Sequence, residues 1–290
     1  MRAFDYNELV EKINGIEIVL QGDEVVTFYN DKEKARKSVS TKYEIFDFKP
    51  FVISSIDEIL KSYEIEKYTL SLVGGRQEIR LFSYPEVING ESFTRAFYLL
   101  NSSDKSRALS FSYGLRHNNF HYISTKGSVY KKHFTGITKF VEERIDLDDT
   151  IFQEQLEVME KVIGDTILMS NVQKIITDSE ILKDSKVSLK NNFDTFRNHL
   201  YLATAGSNLD ESDRRKLKVS YVNRNRTNVD FTEDKNNFTV DSFLVFKTYL
   251  KMFGRRDASV IKRESERISG LSVLTNRNNV LDSLLEEIGL

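Results

Sequence analysis

At 290 residues the chain is long for one compact domain and short for three, and 40% apolar content is enough for a sizeable core. It has no cysteine, which excludes a disulfide framework, cysteine-ligated zinc and a thiol nucleophile. The formal net charge of −2 says little about partners until its distribution along the chain is considered.

The first element in chain order is a short helix over 4–14, with Phe4, Leu9, Val10 and Ile13 on one face and Asn14-Gly15 as a stop. IEIVLQGDEVVTFY then predicts two strands joined at Gly22-Asp23. DKEKARK is expected to be helix or loop. STKYEIFDF and FVIS, separated by Pro50, are expected to be extended. They lead into a helix over 54–64, with Ser54 or Ser55 as N-cap and Asp57 and Glu58 in its first turn.

The densest strand signal follows. YTLSLVGG, RQEIRLFSY, ESFTRAFYLLNS, RALSFSYGL and NFHYIS are separated by gaps too short for crossover helices, so antiparallel hairpins are expected. In RALSFSYGL, Leu109, Phe111, Tyr113 and Leu115 alternate with Ser110, Ser112, Gly114 and Arg116, as in a sheet with one buried face. From about residue 142 the period becomes helical. A long helix is expected over 150–183, with Ile151, Leu156, Met159, Val162, Ile163, Ile167 and Leu168 inward and Asp148, Asp149 and Thr150 at its start. Further helices are expected over 188–206, ending at Gly206, over 240–256 and at 279–290, with a polar loop between 208 and 237. The fold class is α+β: a β-rich region over 1–147 packed with a helical region over 148–290.

Charge is segregated along this layout. Residues 1–31 carry net −5 and residues 142–165 net −7. Between them, residues 105–141 hold Lys105, Arg107, Arg116, Lys126, Lys131, Lys132 and Lys139 with no acid, net +7. The same stretch holds His117, His121 and His133 and the rings of Phe111, Tyr113, Phe120, Tyr122, Tyr130, Phe134 and Phe140. Mixed cations and flat rings suit single-stranded DNA or RNA, because cations follow phosphates and rings stack on any base. The expected contacts are Arg107, Tyr113, Arg116, His117, Tyr122, Lys126, Lys131 and Lys132, joined by Arg214 and Arg215 from a second basic cluster. A third cluster spans Lys247 to Arg267. The alternative is an assembly protein whose acidic and basic segments pair between copies, making a homo-oligomer.

Chemistry has weaker signals. No Walker loop, dinucleotide fingerprint, nucleophile elbow or zincin motif occurs. His117-x3-His121-x11-His133 lacks a nearby carboxylate or cysteine, so no metal or other cofactor is expected. Asp146, Asp148 and Asp149 would serve a two-metal nuclease, or simply cap a helix. MRAFDYNELVEKING has no secretory pattern and no run suits a membrane span, so a cytoplasmic location without membrane partners is expected.

Two stretches, KSVSTKYEIFDFKPFV at 37–52 and FYLLNSSDKSRALSFSYGLRHNN at 97–119, together resemble the phage- and plasmid-like proteins built on the domain of unknown function 932. The matching positions are Asn101, Ser102, Asp104, Ser106, Arg116 and Asn118, with Ser103 where that family has His and Lys105 where it has Gly. The resemblance implies a mobile-element origin and no particular activity. A fold-level analogy to phage single-strand annealing proteins, a sheet beside helices with a basic groove, implies replication or recombination as the setting.

Overall fold

The computed structural model describes residues 1–39, 45, 47–103, 109–117, 120–123, 129–131, 147–178, 189–204, 211, 214–215, 238–257, 272–275 and 286. Among them no helix is long and apolar enough to cross a membrane. The chain divides into two compact units. One comprises 1–87, 92–117 and 123–153, the other 88–91, 118–122 and 154–290.

The first unit is built on hairpins. β1 (Arg2–Ala3) and α1 (Tyr6–Asn14) precede a three-stranded antiparallel sheet of β2 (Ile16–Gln21), β3 (Glu24–Tyr29) and β4 (Lys32–Ser38). α2 (Lys49–Ser62) follows, then β5 (Ile65–Val73), β6 (Arg76–Ile88), β7 (Glu91–Ser102) and β8 (Leu109–Arg116). β9 (Phe120–Ile123) and β10 (Val129–Lys131) come next in the chain. The second sheet of this unit runs β1-β5-β6-β7-β8, with β10 antiparallel to β8. Asn30-Asp31, Gly74-Gly75 and Asn89-Gly90 each place both central residues at positive φ. That is the twist-matched geometry that two-residue hairpins need.

β4 corrects one expectation. KEKARKS has no apolar alternation, yet the Asn30-Asp31 turn returns the chain onto β3, from Tyr29↔Lys32 to Glu24↔Ser38. It is an edge strand exposed at nearly every position, where charged side chains discourage further pairing. α2 is a second correction. It starts at Lys49, not at Ser54, because Pro50 sits in the first turn, where its missing N–H costs nothing. The Lys49 amide bonds Asp47 Oδ1 at 3.2 Å. Ser54 and Ser55 lie inside the helix and donate to the Phe51 carbonyl at 3.0 and 2.7 Å.

α3 (Asp149–Gly164) begins at the capping residues expected of it. Asp148 Oδ1 accepts from the Thr150 amide at 3.0 Å and from its hydroxyl. The long helix is interrupted. After Gly164 the chain forms β11 (Thr166–Leu168) and then α4 (Met169–Asp178), so Ile167 and Leu168 belong to a strand. In the second unit β11 pairs antiparallel with β12 (Thr239–Asp241). α5 (Leu189–Ala203) packs against α4 and against α6 (Ser242–Asp257), and β13 (Ser272–Thr275) lies beside α6. Asp241 Oδ1 caps α6 through the Leu244 amide at 2.7 Å. Met169, Val172, Ile176, Phe193, Phe196, Leu200, Val240, Phe243, Phe246 and Tyr249 form the buried interior of this unit. The expected stop at Gly206, the loop over 208–237 and nearly all of the last helix fall outside the described residues.

Candidate nucleic-acid interface

The acid-free segment enters the first unit's sheet as β8 and β10. Their register puts Val129 opposite Phe111, Tyr130 opposite Ser110 and Lys131 opposite Leu109. On its other side β8 pairs with β7, from Thr94↔Arg116 to Leu100↔Ser110. Arg107, Lys126, Lys132, Asp104, Ser106 and Asn118 lie outside the described residues. Tyr122 and Lys131 are placed as strand positions only.

Two expected contacts are corrected by burial. Tyr113 is 0% exposed. Its ring stacks on Phe111 at 5.6 Å and Phe97 at 6.4 Å and meets Phe152 at 5.4 Å. Its hydroxyl accepts from the Asp148 amide at 3.2 Å. An aromatic residue on the inward face of a strand is core, and this one cannot stack a base. His117 is 3% exposed, with its ring 5.3 Å from Phe93. It offers no accessible edge to a phosphate.

Arg116 is different. It lies on the opposite face of β8, half-buried, with its guanidinium 4.7 Å from the Phe82 ring. No carboxylate among the described residues pairs with it, so its charge is not neutralised there. In the second unit, Arg214 and Arg215 share Glu211, at 3.5 and 3.3 Å. Arg214 also lies over the Tyr201 ring at 5.0 Å, whereas Arg215 has a well-exposed side chain. Their charge is therefore partly offset within the chain.

Of the residues matched to the resembling family, the two at the end of β7 belong to the interior. Asn101 and Ser102 are buried. Asn101 Nδ2 donates to Gln77 Oε1 at 2.8 Å, and Gln77 Nε2 donates to the Gly75 carbonyl at 2.9 Å. Ser103 bonds the same carbonyl through its amide at 2.9 Å and its hydroxyl at 3.1 Å, and it meets the Thr27 hydroxyl. This polar network ties the end of β7 to the β5–β6 turn and to β3. The sequence reading missed Gln77 and Thr27 and gave Ser103 only as a departure from the resembling family, because nothing in their local pattern signals a contact between distant strands.

Asp148 and Asp149 are likewise occupied. Asp148 caps α3, and the Tyr63 hydroxyl donates to Asp149 Oδ1. Arg95 stands over this corner, 5.8 Å from the Tyr63 ring and 5.6 Å from the Phe152 ring, and pairs with Glu86 at 2.7 Å. Among the described residues no group of three His, Cys, Asp or Glu side chains is positioned to hold a metal ion.

No family model matches the chain, and neither the curated proteins nor the solved structures yield a match.

Proposed function

We propose that this chain binds single-stranded nucleic acid without sequence preference, as an annealing or strand-protecting protein of phage or plasmid replication. The observation that carries the reading is the 37-residue stretch 105–141, with seven cations and no acid. Cations of that density are costly to bury unpaired, so an anionic partner is the simplest account of them. Arg107, Arg116, Lys126, Lys131 and Lys132 would neutralise phosphates. With Tyr113 in the core, stacking would fall to Tyr122.

The test is titration of a fluorescent single-stranded oligonucleotide, with duplex of the same sequence as the comparison. Five phosphate contacts give a log–log salt slope of about −3.5, so affinity should fall roughly 100-fold between 50 and 200 mM salt. Absence of binding at 50 mM salt sinks the reading.

One observation favours assembly through charge instead. The outward positions of α3 include Glu157 and Glu160, which have no partner among the described residues. Self-association that salt dissolves, without oligonucleotide binding, is the outcome that reading expects.

A further inference from the structure

A cleft of about 390 Å³ opens in the first unit beside the outer edge of β5. Its wall includes Arg2, Lys12, Tyr29, Lys34, Leu70 and Leu72, and no carboxylate among the described residues lines it. The edge is open because β1 is only two residues long and, among the described residues, its pairing with β5 stops at Tyr68. Glu66 accepts from the Phe4 amide at 2.9 Å, so its polar backbone groups point outward. By alternation those of Leu70 and Leu72 do too, and no described residue pairs with them.

The charge around the cleft is unbalanced. Glu8 answers both Arg2, at 2.9 Å, and Lys12. Lys12 also donates to the Tyr68 hydroxyl at 2.7 Å. Lys34 is exposed and has no ion pair among the described residues. One carboxylate therefore faces three cations, and the excess sits beside two leucines and the half-buried Tyr29. A site of this kind wants an anion with an apolar body.

Size decides what kind of anion. The volume is that of a small-molecule pocket, whose usual range starts at about 300 Å³.

We propose that this cleft binds a phosphate-bearing ligand of mononucleotide size, with the phosphate on Arg2, Lys12 and Lys34 and the ring against Leu70, Leu72 and Tyr29. The site shares no residue with the 105–141 segment and stands or falls independently of the oligonucleotide reading. The ligand is either a free nucleotide or the terminal nucleotide of a strand, since the two present the same phosphate and ring.

Isothermal titration of the full chain with adenosine 5′-monophosphate and with adenosine tests the proposal. Lys34→Ala is the diagnostic variant, because Lys34 is exposed and unpaired, so the fold should tolerate its loss. Lys61→Ala on α2 is the control. The expected result is nucleotide binding that Lys34→Ala weakens roughly tenfold or more, that Lys61→Ala leaves unchanged, and that adenosine does not reproduce. Competition against oligonucleotides with and without a 5′ phosphate separates the two sources. Displacement of the phosphorylated strand alone assigns the site to strand ends, and displacement of neither assigns it to free nucleotide. Failure of the nucleotide to bind at millimolar concentration overturns the proposal. So does equal binding of adenosine, or affinity unmoved in a Lys34→Ala protein whose circular dichroism is native.

Discussion

The Tyr63 hydroxyl donates to the Asp149 carboxylate, joining the C-terminal end of α2 to the first turn of α3. The bond sits over a cluster in which the Tyr63 ring meets Phe97 at 5.1 Å and Phe152 at 5.6 Å, with Phe97 continuing to Tyr113. Sheet and helices are thus held by apolar contact, with one polar tie at the rim. Tyr63→Phe keeps the ring and removes the tie. Because the carboxylate is solvent-exposed and finds water instead, the expected loss is about 1 kcal/mol in urea unfolding at pH 7.

The same tyrosine makes stability sensitive to alkali. Burial, together with the Asp149 carboxylate, raises the Tyr63 pKa well above the usual phenol range. Burial raises that of Tyr98 too, against the pull of Arg80 and Arg116. Both shifts favour the neutral phenol in the folded chain, whereas the unfolded chain ionises near pH 10, the usual tyrosine value. Stability from these groups is therefore intact below about pH 10 and drains away as pH climbs above it. Urea midpoints at pH 8, 10 and 11 should fall chiefly between pH 10 and 11, and fall less steeply in Tyr63→Phe.

Asn101 tests whether the resembling turn is scaffold. Asn101→Ala removes the donor to Gln77 Oε1 inside a buried network. An unsatisfied buried acceptor costs about 1–3 kcal/mol. The variant should unfold at lower urea while oligonucleotide affinity stays within twofold of the unsubstituted chain. A large affinity loss with stability unchanged would assign the turn to binding instead.

What the sequence conveyed depended on whether local pattern and tertiary placement agreed. The strict alternation of Leu109, Phe111, Tyr113 and Leu115 predicts a strand with one buried face; that face is buried, but Ser110 and Gly114 on the other face are buried as well. The α+β class is legible for the same reason: short apolar runs spaced by turn residues, then 3.6-residue periodicity. β4 was hidden because its strand character comes from the Asn30-Asp31 turn and the neighbour across it, not from KEKARKS itself. The break at Gly164-Asp165 was hidden because Ile167 satisfies a helical period and a strand alternation alike. The cleft was hidden by charge counting. Arg2 and Lys12 fall in a segment of net −5, and only the fold brings Lys34 beside them.

Tyr113 separates core from contact. Tyr113→Ala opens a void among Phe97, Phe111 and Phe152 and is expected to cost about 3–5 kcal/mol, the range for losing a buried aromatic. Tyr113→Phe keeps the packing and loses the bond to the Asp148 amide, about 1 kcal/mol. If the ring is core, Tyr113→Phe and the unsubstituted chain bind oligonucleotide equally. If it stacked bases, the alanine variant would lose about 1–3 kcal/mol of binding while still folded.

The electrostatic reading makes a sharper demand than affinity alone. A cation on a phosphate contributes about 0.7 to the log–log salt slope of single-strand binding, whereas a cation that only shapes the fold contributes nothing. Replacing Lys131 and Lys132 together by Gln should therefore lower the slope by about 1.4 and weaken binding most at 50 mM salt, with the wild-type and variant curves converging toward high salt. Arg116→Gln should lower it by a further 0.7 or so. This variant also removes the contact with the Phe82 ring, so its urea midpoint must be measured alongside. Parallel salt curves, with affinity reduced by one constant factor, would mean that these side chains hold the sheet and do not touch phosphate. The acid-free segment would then be read as a surface for the chain's own acidic face.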